Sequence, residues 1–329
     1  MEERKKDHIS LAFESQTPAS FIDSRFSYEP MLSAHPVGMN HSTAFLGREL
    51  NIPFWVSSMT GGTALAKTIN HNLAKVCGEF GMGMGLGSCR ILLDNPSHFA
   101  DFDVRDLLGN DLPLFANIGI SQLEELLDSQ ASGKLVELVD SLRADGLIVH
   151  VNPLQEWFQP EGDRFQRPPI ESVAQLLQLV NFPVIVKEVG QGMGYQSLKE
   201  LLKLPIAAVE LAAFGGTNFS KVEMLRSNSP ENEVYASLTN VGHTALDMVE
   251  ICNRIVQSEE VLCKQLIISG GVKNFLDGYY LQAKSSIPAV IGMASAFLKY
   301  AQDYDLLRRF VIAQIKGYRL AQSFLKVKE

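Results

Sequence analysis

Eight short apolar runs, separated by stretches of helical periodicity, dominate this 329-residue chain. The runs at 146–151 and 183–187 are apolar on both faces, as strands buried inside a parallel sheet are. Strands that alternate with helices indicate βαβ units with right-handed crossovers. The predicted strands are Pro53–Ser57, Met82–Leu86, Pro113–Asn117, Gly146–Val151, Pro183–Lys187, Ala207–Leu211, Gln265–Ser269 and Ala289–Gly292.

Eight such units favour a closed (β/α)8 TIM barrel, an α/β fold that accommodates a chain of this length (1–329) as one domain. The alternative is an open doubly wound sheet, which usually carries Gly-x-Gly-x-x-Gly after its first strand. This chain has Met59-Thr60-Gly61-Gly62 at that point. Near the C-terminus, the spacing of Leu307, Val311 and Tyr318 predicts a helix that packs outside the barrel.

Residues 1–50 precede the first predicted strand and are too apolar for a disordered tail. We expect this segment to pack on the barrel. The segment begins with a basic run, Arg4-Lys5-Lys6-Asp7-His8, which is either a solvated tail or a tethered arm that closes over a diphosphate. The apolar residues of the segment include Leu11, Phe13, Phe21, Phe26, Met31 and Leu32.

Composition narrows the class of partner. The net charge of −8 argues against nucleic acid, because a protein that binds it through its overall field is usually basic. The chain has no run of about 18 apolar residues and no apolar signal-peptide core, so we expect a cytoplasmic protein without a membrane partner. No CxxC spacing occurs, which predicts reduced thiols at Cys77, Cys89, Cys252 and Cys263.

Glycine and hydroxyl residues follow most of the predicted strands, at the end where barrel enzymes place their active sites. Gly270-Gly271 and Gly292-Met293 follow the last two strands, where such barrels bind phosphate through backbone N–H groups. These residues predict a phosphate-bearing cofactor. The alternating glycines at 81–87 leave one strand face bare, which suits either a packed barrel interior or a flat ring close to the backbone.

Two strand ends carry side chains suited to chemistry. Lys187 ends an apolar strand, where it would pair with an acid such as Glu188 or Glu210, form a Schiff base, or donate to a flavin. The other strand end, at 150–156, places one carboxylate close in sequence to two amides and an imidazole. This set of side chains suits Mg2+ bound to a diphosphate better than it suits zinc. Arg90 suits phosphate oxygens, and Cys89 beside it is interpreted as a structural or substrate-lining thiol.

Together these segments resemble the type 2 isopentenyl-diphosphate isomerases, FMN-dependent enzymes on a (β/α)8 barrel. The resemblance runs in order over nearly the whole chain. Its motifs are Arg4-Lys5-Lys6-Asp7-His8-Ile9, Met59-Thr60-Gly61-Gly62, Gly87-Ser88-Cys89-Arg90, His150-Val151-Asn152-Pro153-Leu154-Gln155-Glu156, Lys187-Glu188-Val189-Gly190-Gln191-Gly192, Gly215-Gly216-Thr217-Asn218 and Ser269-Gly270-Gly271.

The resemblance implies a role for each matching residue. Residues around the flavin ring and ribityl chain would be Met59, Thr60, Ser88, Asn117, Lys187 and Thr217, and the FMN phosphate would lie on Gly270, Gly271, Met293 and Ala294. The substrate would contact Arg4, Lys5, His8, Ser88, Arg90, His150, Asn152 and Gln155. Glu156 would hold Mg2+, and Gln155 and Lys187 would assist acid–base chemistry at the flavin N5.

The implied reaction moves the double bond of isopentenyl diphosphate to give dimethylallyl diphosphate, with reduced FMN as cofactor and NAD(P)H as the reductant that primes it. A homotetramer or homo-octamer is also implied. Three positions depart from the family pattern: Cys89 stands where Gln is usual, Phe219 where Trp is frequent, and Lys273 where Arg is common.

Other functions remain open at this point. A 2-hydroxy-acid oxidase type of FMN barrel needs a histidine base near a late strand, for which His243 is the candidate. Inosine monophosphate dehydrogenase is suggested by Gly-Ser-Cys-Arg, although its catalytic cysteine belongs after a late strand and Cys89 follows the second. A flavin- or phosphate-binding protein without catalysis is the alternative from another class.

Overall fold

The computed structural model describes residues 2–37, 42–58, 64–227 and 229–328. Within these ranges eight parallel strands close into a barrel, each paired with the next along the chain and the last, β11, paired with the first, β4. The barrel strands are β4 Phe54–Val56, β5 Gly83–Gly85, β6 Leu114–Gly119, β7 Gly146–His150, β8 Val184–Lys187, β9 Ala208–Glu210, β10 Leu266–Ile268 and β11 Ala289–Met293. The other strands are β1 Phe26–Tyr28, β2 Thr43–Phe45, β3 Arg48–Leu50 and β12 Leu325–Val327.

Each of the eight predicted runs overlaps one barrel strand, although β6 and β11 continue past the predicted ends, to Gly119 and Met293, so the predicted (β/α)8 barrel is confirmed. The open-sheet alternative is wrong, because β11 pairs with β4 through the register Ile291↔Phe54 and no sheet edge is left. The barrel strands are buried along almost their whole length, as the continuous apolar runs require.

Helices surround the barrel and connect its strands. Their bounds are α1 Glu2–Leu11, α2 Ala64–Phe80, α3 Phe99–Phe102, α4 Arg105–Leu108, α5 Ile120–Asp128, α6 Gly133–Ser141, α7 Pro153–Phe158, α8 Pro169–Leu179, α9 Tyr195–Lys203, α10 Phe219–Ser227, α11 Asn232–Tyr235, α12 Ala245–Ser258, α13 Phe275–Lys284, α14 Ser295–Leu298 and α15 Tyr304–Phe324. The predicted outer helix is α15, which buries Leu307 and Val311 and contacts α2 and α13. Among the described residues, no helix combines the length and apolar character that a bilayer crossing requires.

The Trp55 side chain fills the barrel interior beside the glycine face of β5. A Cβ placed on Gly83 would lie 2.4 Å from Cζ3 of the Trp55 indole. A Cβ on Gly85 would lie 2.6 Å from Cδ1 of Ile148. Gly83 and Gly85 therefore make room for packed side chains, as the packed-interior interpretation predicts.

The β2–β3 hairpin closes the amino end of the barrel. It precedes β4 directly, and its Phe45 ring meets Trp55 edge-on with the ring centroids 5.8 Å apart. Leu50 and Ile52 are fully buried in the same layer. Arg105, only 3% exposed, donates to Asp145 at 2.8 Å, and Arg48 pairs with the same carboxylate. This end is therefore covered by packed side chains.

The first residues of the chain depart from the prediction. Strand β1 itself packs as expected: it pairs with β12, and Phe26 stacks on Tyr279 with the ring centroids 6.0 Å apart. Before β1, the side chains of Phe13 and Phe21 are largely exposed, and α1 buries none of its residues. The physical reason is that α1 is polar around its whole circumference and has no apolar stripe to dock. Leu11, Met31 and Leu32 are exposed as well.

We predict that Gly83→Ala destabilises the protein by about 1–3 kcal/mol, the usual cost of overfilling a packed core. The new methyl group would overlap the buried Trp55 ring, which has no free space to move into. Gly133→Ala is the matched control, because nothing lies within 4 Å of a Cβ built there, and its effect should stay within about 1 kcal/mol. Urea unfolding followed by tryptophan fluorescence measures both, and equal midpoints for the two variants would contradict the proposed packing.

Candidate active site

The carboxyl ends of the barrel strands surround a cavity of about 570 Å3. Parallel strands that close a barrel bring all their carboxyl ends to one rim, so residues far apart in sequence meet there. Loops after β4, β8, β9, β10 and β11 supply the lining. The predicted residues among these are Lys187, Thr217, Gly270, Gly271, Met293 and Ala294.

Paired glycines form one wall of this cavity. Gly270 and Gly271 both have left-handed backbones, with φ of +86° and +72°, a conformation that other residues rarely adopt. A Cβ on Gly270 would lie 2.0 Å from the backbone nitrogen of Ala213, so only glycine fits. Gly215 and Gly216 face this pair, with Cβ positions 3.3 and 3.2 Å from Gly271 backbone atoms. This wall presents bare backbone to the cavity, which is the surface a phosphate group requires.

Polar atoms without partners line the same cavity. The buried hydroxyls of Ser57 and Ser58 have no hydrogen-bond partner among the described residues. Glu210 is fully buried, and its Oε1 accepts a hydrogen bond from Ser269 at 3.1 Å while its Oε2 has none. Buried polar atoms are nearly always satisfied, so these atoms indicate a site that a polar ligand completes. Lys273 adds a cation to the lining.

A hydrogen-bonded pair connects the ends of β6 and β7. Asn117 donates through Nδ2 to the carbonyl of Leu86 at 3.0 Å, which turns its Oδ1 towards His150. His150 Nδ1 lies 2.7 Å from that oxygen, so Nδ1 carries the proton and Nε2 presents a lone pair. Cys89 lies beside this pair, donating its backbone N–H to the Asn117 carbonyl at 2.7 Å.

The His150 imidazole is neutral in this environment. The pKa of His150 is lowered from 6.5 to about 3. Burial is the largest cause, and the positive charge of Lys187 on the neighbouring strand also lowers the pKa. Desolvation and a nearby like charge both disfavour the imidazolium. The residue is therefore a hydrogen-bonding base at neutral pH, with no permanent charge to attract an anion.

Lys187 is held by the loop that follows its own strand. It is only 7% exposed, and its Nζ donates to the Glu188 carbonyl at 2.8 Å. The Glu188 carboxylate, expected as a possible partner, instead accepts the backbone N–H groups of Gly190, Gln191 and Gly192 at 2.6, 2.6 and 2.9 Å. Burial raises the pKa of Glu188, and these three hydrogen bonds oppose the rise. The loop thereby fixes Lys187 at the cavity wall.

The residues after β7 form a connected set on α7. Asn152 is buried and donates to Gln155 Oε1 at 3.2 Å and to Glu156 Oε1 at 3.0 Å. Glu156 accepts the Asp163 N–H on its other oxygen at 2.8 Å. Gln155 donates to Oε1 of Glu223 at 3.4 Å, across the contact between α7 and α10. The predicted metal residue is thus a buried, oriented carboxylate with lone pairs still available.

Ser88 and Arg90 are exposed after β5, while Cys89 between them is buried. Arg90 donates to Asp163 at 2.7 Å through Nη1. Burial raises the pKa of Cys89 to about 12, so the group is a thiol at neutral pH and a poor nucleophile. This agrees with the structural interpretation of Cys89, and each of the four cysteines is buried and free.

Other predicted residues are not brought to the cavity. Arg4, Lys5 and His8 are exposed on α1, and no hydrogen bond or ion pair joins their side chains to any other described residue. Met59 and Thr60 lie outside the described residues. No group of three or more His, Cys, Asp or Glu side chains suited to a metal occurs in the described part of the chain. A metal here would therefore need oxygens from a ligand, as Mg2+ on a diphosphate has.

Sequence reasoning missed three carboxylates. Glu210 had a signal, since an acid within an apolar, doubly buried strand is rare, yet it was considered only as a partner for Lys187. Glu223 lies on an ordinary helical segment, and Asp163 in a loop rich in Gly and Pro. Nothing in the local sequence marks either residue, because their partners lie far along the chain.

Solved structures place the fold in a class. The chain matches a flavocytochrome b2 variant with sulfite bound (TM-score 0.60, 15% identity, 91% of this chain and 72% of that one). It also matches a mandelate oxidase variant with a monooxide FMN adduct (TM-score 0.58, 11% identity, 92% and 88%). At such identities the likeness concerns the fold alone, and it defines a TIM-barrel protein with its glycine-rich cavity at the carboxyl rim.

Sequence relatives give the family. The chain is 35% identical over 336 residues to isopentenyl-diphosphate delta-isomerase of Rickettsia peacockii (strain Rustic), covering 99% of this chain and 95% of that protein. The isomerase of Rickettsia prowazekii (strain Madrid E) is 35% identical over 319 residues, 95% of this chain and 89% of that protein. No protein-family model matches. The chain belongs to the isopentenyl-diphosphate delta-isomerase family and is an enzyme, an isomerase.

We predict that His150 makes stability fall as the pH decreases. Its folded pKa lies below the unfolded value of 6.5, so the unfolded chain takes up a proton that the folded chain rejects. The loss begins near pH 6.5 and is at most about 1.4 kcal/mol per pH unit below it. Urea unfolding of the wild type and His150→Gln between about pH 7.5 and about pH 5 measures it. The difference between the two proteins reports on His150 alone, and parallel curves would contradict a buried neutral imidazole.

Proposed function

We propose that this enzyme converts isopentenyl diphosphate to dimethylallyl diphosphate by a 1,3-allylic proton shift, in isoprenoid biosynthesis, using reduced FMN and Mg2+. The observation that carries the proposal is the rim cavity of about 570 Å3, which joins a bare glycine wall to the side chain of Lys187. The curated relatives named above support the substrate. Together these observations support assignment to the type 2, flavin-dependent isomerases.

FMN fits the residues of the cavity. Its phosphate would lie against the backbone of Gly270 and Gly271, where side chains are absent, near Met293 and Ala294. Lys187 would supply a donor to the ring system. Further contacts of the flavin would come from Met59, Thr60, Ser88, Asn117 and Thr217. The unpaired hydroxyls of Ser57 and Ser58 add polar atoms that such a cofactor would satisfy.

The chemistry explains why ordinary side chains do not suffice. Protonation of an unactivated alkene gives a tertiary cation, and side chains tuned near neutrality are weak acids for this step. Bound reduced FMN supplies an electron-rich ring that exchanges a proton at N5 and stabilises nearby positive charge. His150 is neutral at working pH and so holds no proton strong enough for the alkene. Gln155 and Lys187 instead orient the reacting groups and exclude water from them.

The substrate diphosphate would lie towards β5 and β7. Arg90 offers a fork of donors for its oxygens, and Asn152, buried behind Glu156, fixes that carboxylate for Mg2+. Ser88, His150 and Gln155 would complete the contacts to the substrate on this side. Arg4, Lys5 and His8 would join when α1 closes over the substrate, since its exposed position leaves those cations free. Diphosphate contacts of this kind supply remote binding energy that orients the prenyl chain.

The oxidase alternative has less support. Its base would be His243, which lines a separate cavity of about 620 Å3 together with Met193 and Leu201. His243 is absent from the residues that line the rim cavity among those described. A dehydrogenase that relies on a cysteine nucleophile is disfavoured by the buried thiol of Cys89.

The remaining expectations are part of the same proposal. NAD(P)H would serve as the reductant that primes the flavin, and the enzyme would act in the cytoplasm without nucleic-acid or membrane partners. Copies of the chain would assemble as a homotetramer or homo-octamer. Phe13, Phe21 and Met31 are exposed in the single chain and are therefore candidates for contacts between copies.

We predict anaerobic conversion of isopentenyl diphosphate to dimethylallyl diphosphate that requires Mg2+, FMN and NADPH together. Product formation is followed by chromatography, and FMN binding by absorbance after gel filtration. Dependence on reduced FMN would establish the proposed function. Bound FMN without conversion would overturn the substrate assignment, and conversion without any flavin would overturn the cofactor assignment.

Glu156→Gln should lower turnover by about 10- to 100-fold and shift the Mg2+ requirement to higher concentration, while FMN affinity stays unchanged. The substitution removes the negative charge and leaves the shape of the side chain. Glu124→Gln is the matched control, because Glu124 is also buried and accepts a backbone N–H of the same loop, that of Gln166, at 2.6 Å. A Mg2+ titration of each variant measures the effect, and identical titrations would remove Glu156 from the metal site.

A further inference from the structure

One carboxylate connects the loops that follow three successive barrel strands. Asp163 lies between α7 and α8, and its Oδ2 accepts hydrogen bonds from Arg90 Nη1 at 2.7 Å and Gln122 Nε2 at 2.8 Å. Arg90 follows β5, and Gln122 lies on α5, which follows β6. A single oxygen thus joins groups that are 73 and 41 residues away in the chain.

The main chain of the same residue reaches the predicted metal ligand. The Asp163 N–H donates to Oε2 of Glu156 at 2.8 Å. The loop is held close to α7 at this point, because a Cβ on Gly162 would lie 2.0 Å from the Glu156 carbonyl oxygen. Arg164 tightens the contact by donating to that carbonyl at 2.5 Å. Asp163 is therefore held in one position and contacts both Arg90, the predicted diphosphate ligand, and Glu156, the predicted metal ligand.

The pairing leaves Arg90 available for a ligand. Only Nη1 is engaged, and neither Nε nor Nη2 donates a hydrogen bond to any of the described residues. The Arg90 side chain is 52% exposed, whereas Asp163 is 37% exposed. Guanidinium groups carry five N–H donors in a rigid fork, so one tether can orient the group while the others bind phosphate oxygens.

We propose that Asp163 is a positioning residue for diphosphate binding, holding Arg90 through its carboxylate and Glu156 through its backbone N–H. The inference rests on the proposed function. Ordering a long, exposed arginine before the ligand arrives lowers the entropy that binding must overcome. In the alternative role, Asp163 would compete with the diphosphate for Arg90. Removal of the Asp163 charge would weaken diphosphate binding in the first role and strengthen it in the second.

Asp163→Asn tests the role, because it retains the backbone N–H and the size of the side chain but removes the charge that orients Arg90. We expect the Kd for inorganic pyrophosphate with Mg2+, measured by calorimetry, and the KM for isopentenyl diphosphate to rise about tenfold. The turnover number and FMN affinity should stay within about twofold of the wild type. Asp106→Asn is the matched control, since Asp106 forms an exposed ion pair with Arg143 at 2.7 Å.

A double-variant cycle separates positioning from a merely structural role. In an Arg90→Gln background, Asp163→Asn should weaken pyrophosphate binding little further, because its effect passes through Arg90. Tighter pyrophosphate binding or a lower KM in Asp163→Asn would overturn the proposal in favour of competition. Fully additive losses, or equal losses in Asp106→Asn, would overturn it as well. Asp163→Glu, which keeps the charge, should recover most of the affinity.

The two proposals fail in distinguishable ways. Calorimetry with pyrophosphate requires no turnover, so it tests Asp163 independently of the reaction. Wild-type protein that binds pyrophosphate but forms no dimethylallyl diphosphate would overturn the proposed function and leave the role of Asp163 standing. Wild-type protein that binds no pyrophosphate with Mg2+ would overturn the role of Asp163.

Discussion

Hydrogen bonding between β11 and β4 closes the barrel, and the candidate site depends on that closure. The register Ile291↔Phe54 continues into the loops, where Ser57 donates its backbone N–H to the carbonyl of Met293 at 3.0 Å. This contact brings the unpaired hydroxyl of Ser57, directly after the first barrel strand, into the cavity whose glycine wall follows β9 and β10. An open sheet of the same strands would place these groups at opposite edges, and no shared cavity would form.

The rim divides into two chemically different halves. One half, after β9, β10 and β11, exposes backbone and short side chains such as Gly271 and Ala294. The other half, after β6 and β7, carries side chains in defined orientations, with Asn117 fixing the imidazole of His150 and Asn152 fixing a carboxylate. Lys187 on β8 lies at the junction of the two halves. Such a division suits the proposed reaction, in which the glycine-rich half would hold the cofactor and the other half would orient the substrate against it.

Local periodicity was sufficient to predict the barrel. Strands buried on both faces, such as β7 and β8, are continuous apolar runs, and glycines after β10 signal a turn that only glycine permits. Contacts between distant segments could not be predicted in this way. Asp163 meets Arg90 only because the barrel brings the loops after β5 and β7 together. The exposure of Phe13 was also missed, since apolar composition shows that a side chain needs a partner but does not identify one.

Packing at the amino end gives the molecule a layered organisation. Trp55, Phe45 and the glycine face of β5 form a packed lower layer, and the glycine-walled cavity lies above it at the carboxyl rim. Substitutions in the lower layer act on folding, and substitutions at the rim act on recognition and chemistry, with little overlap between the two sets. A barrel with this organisation can change its specificity through the loops at the rim while the packed lower layer stays constant. An engineered scaffold could use the same separation between the packed layer and the loops.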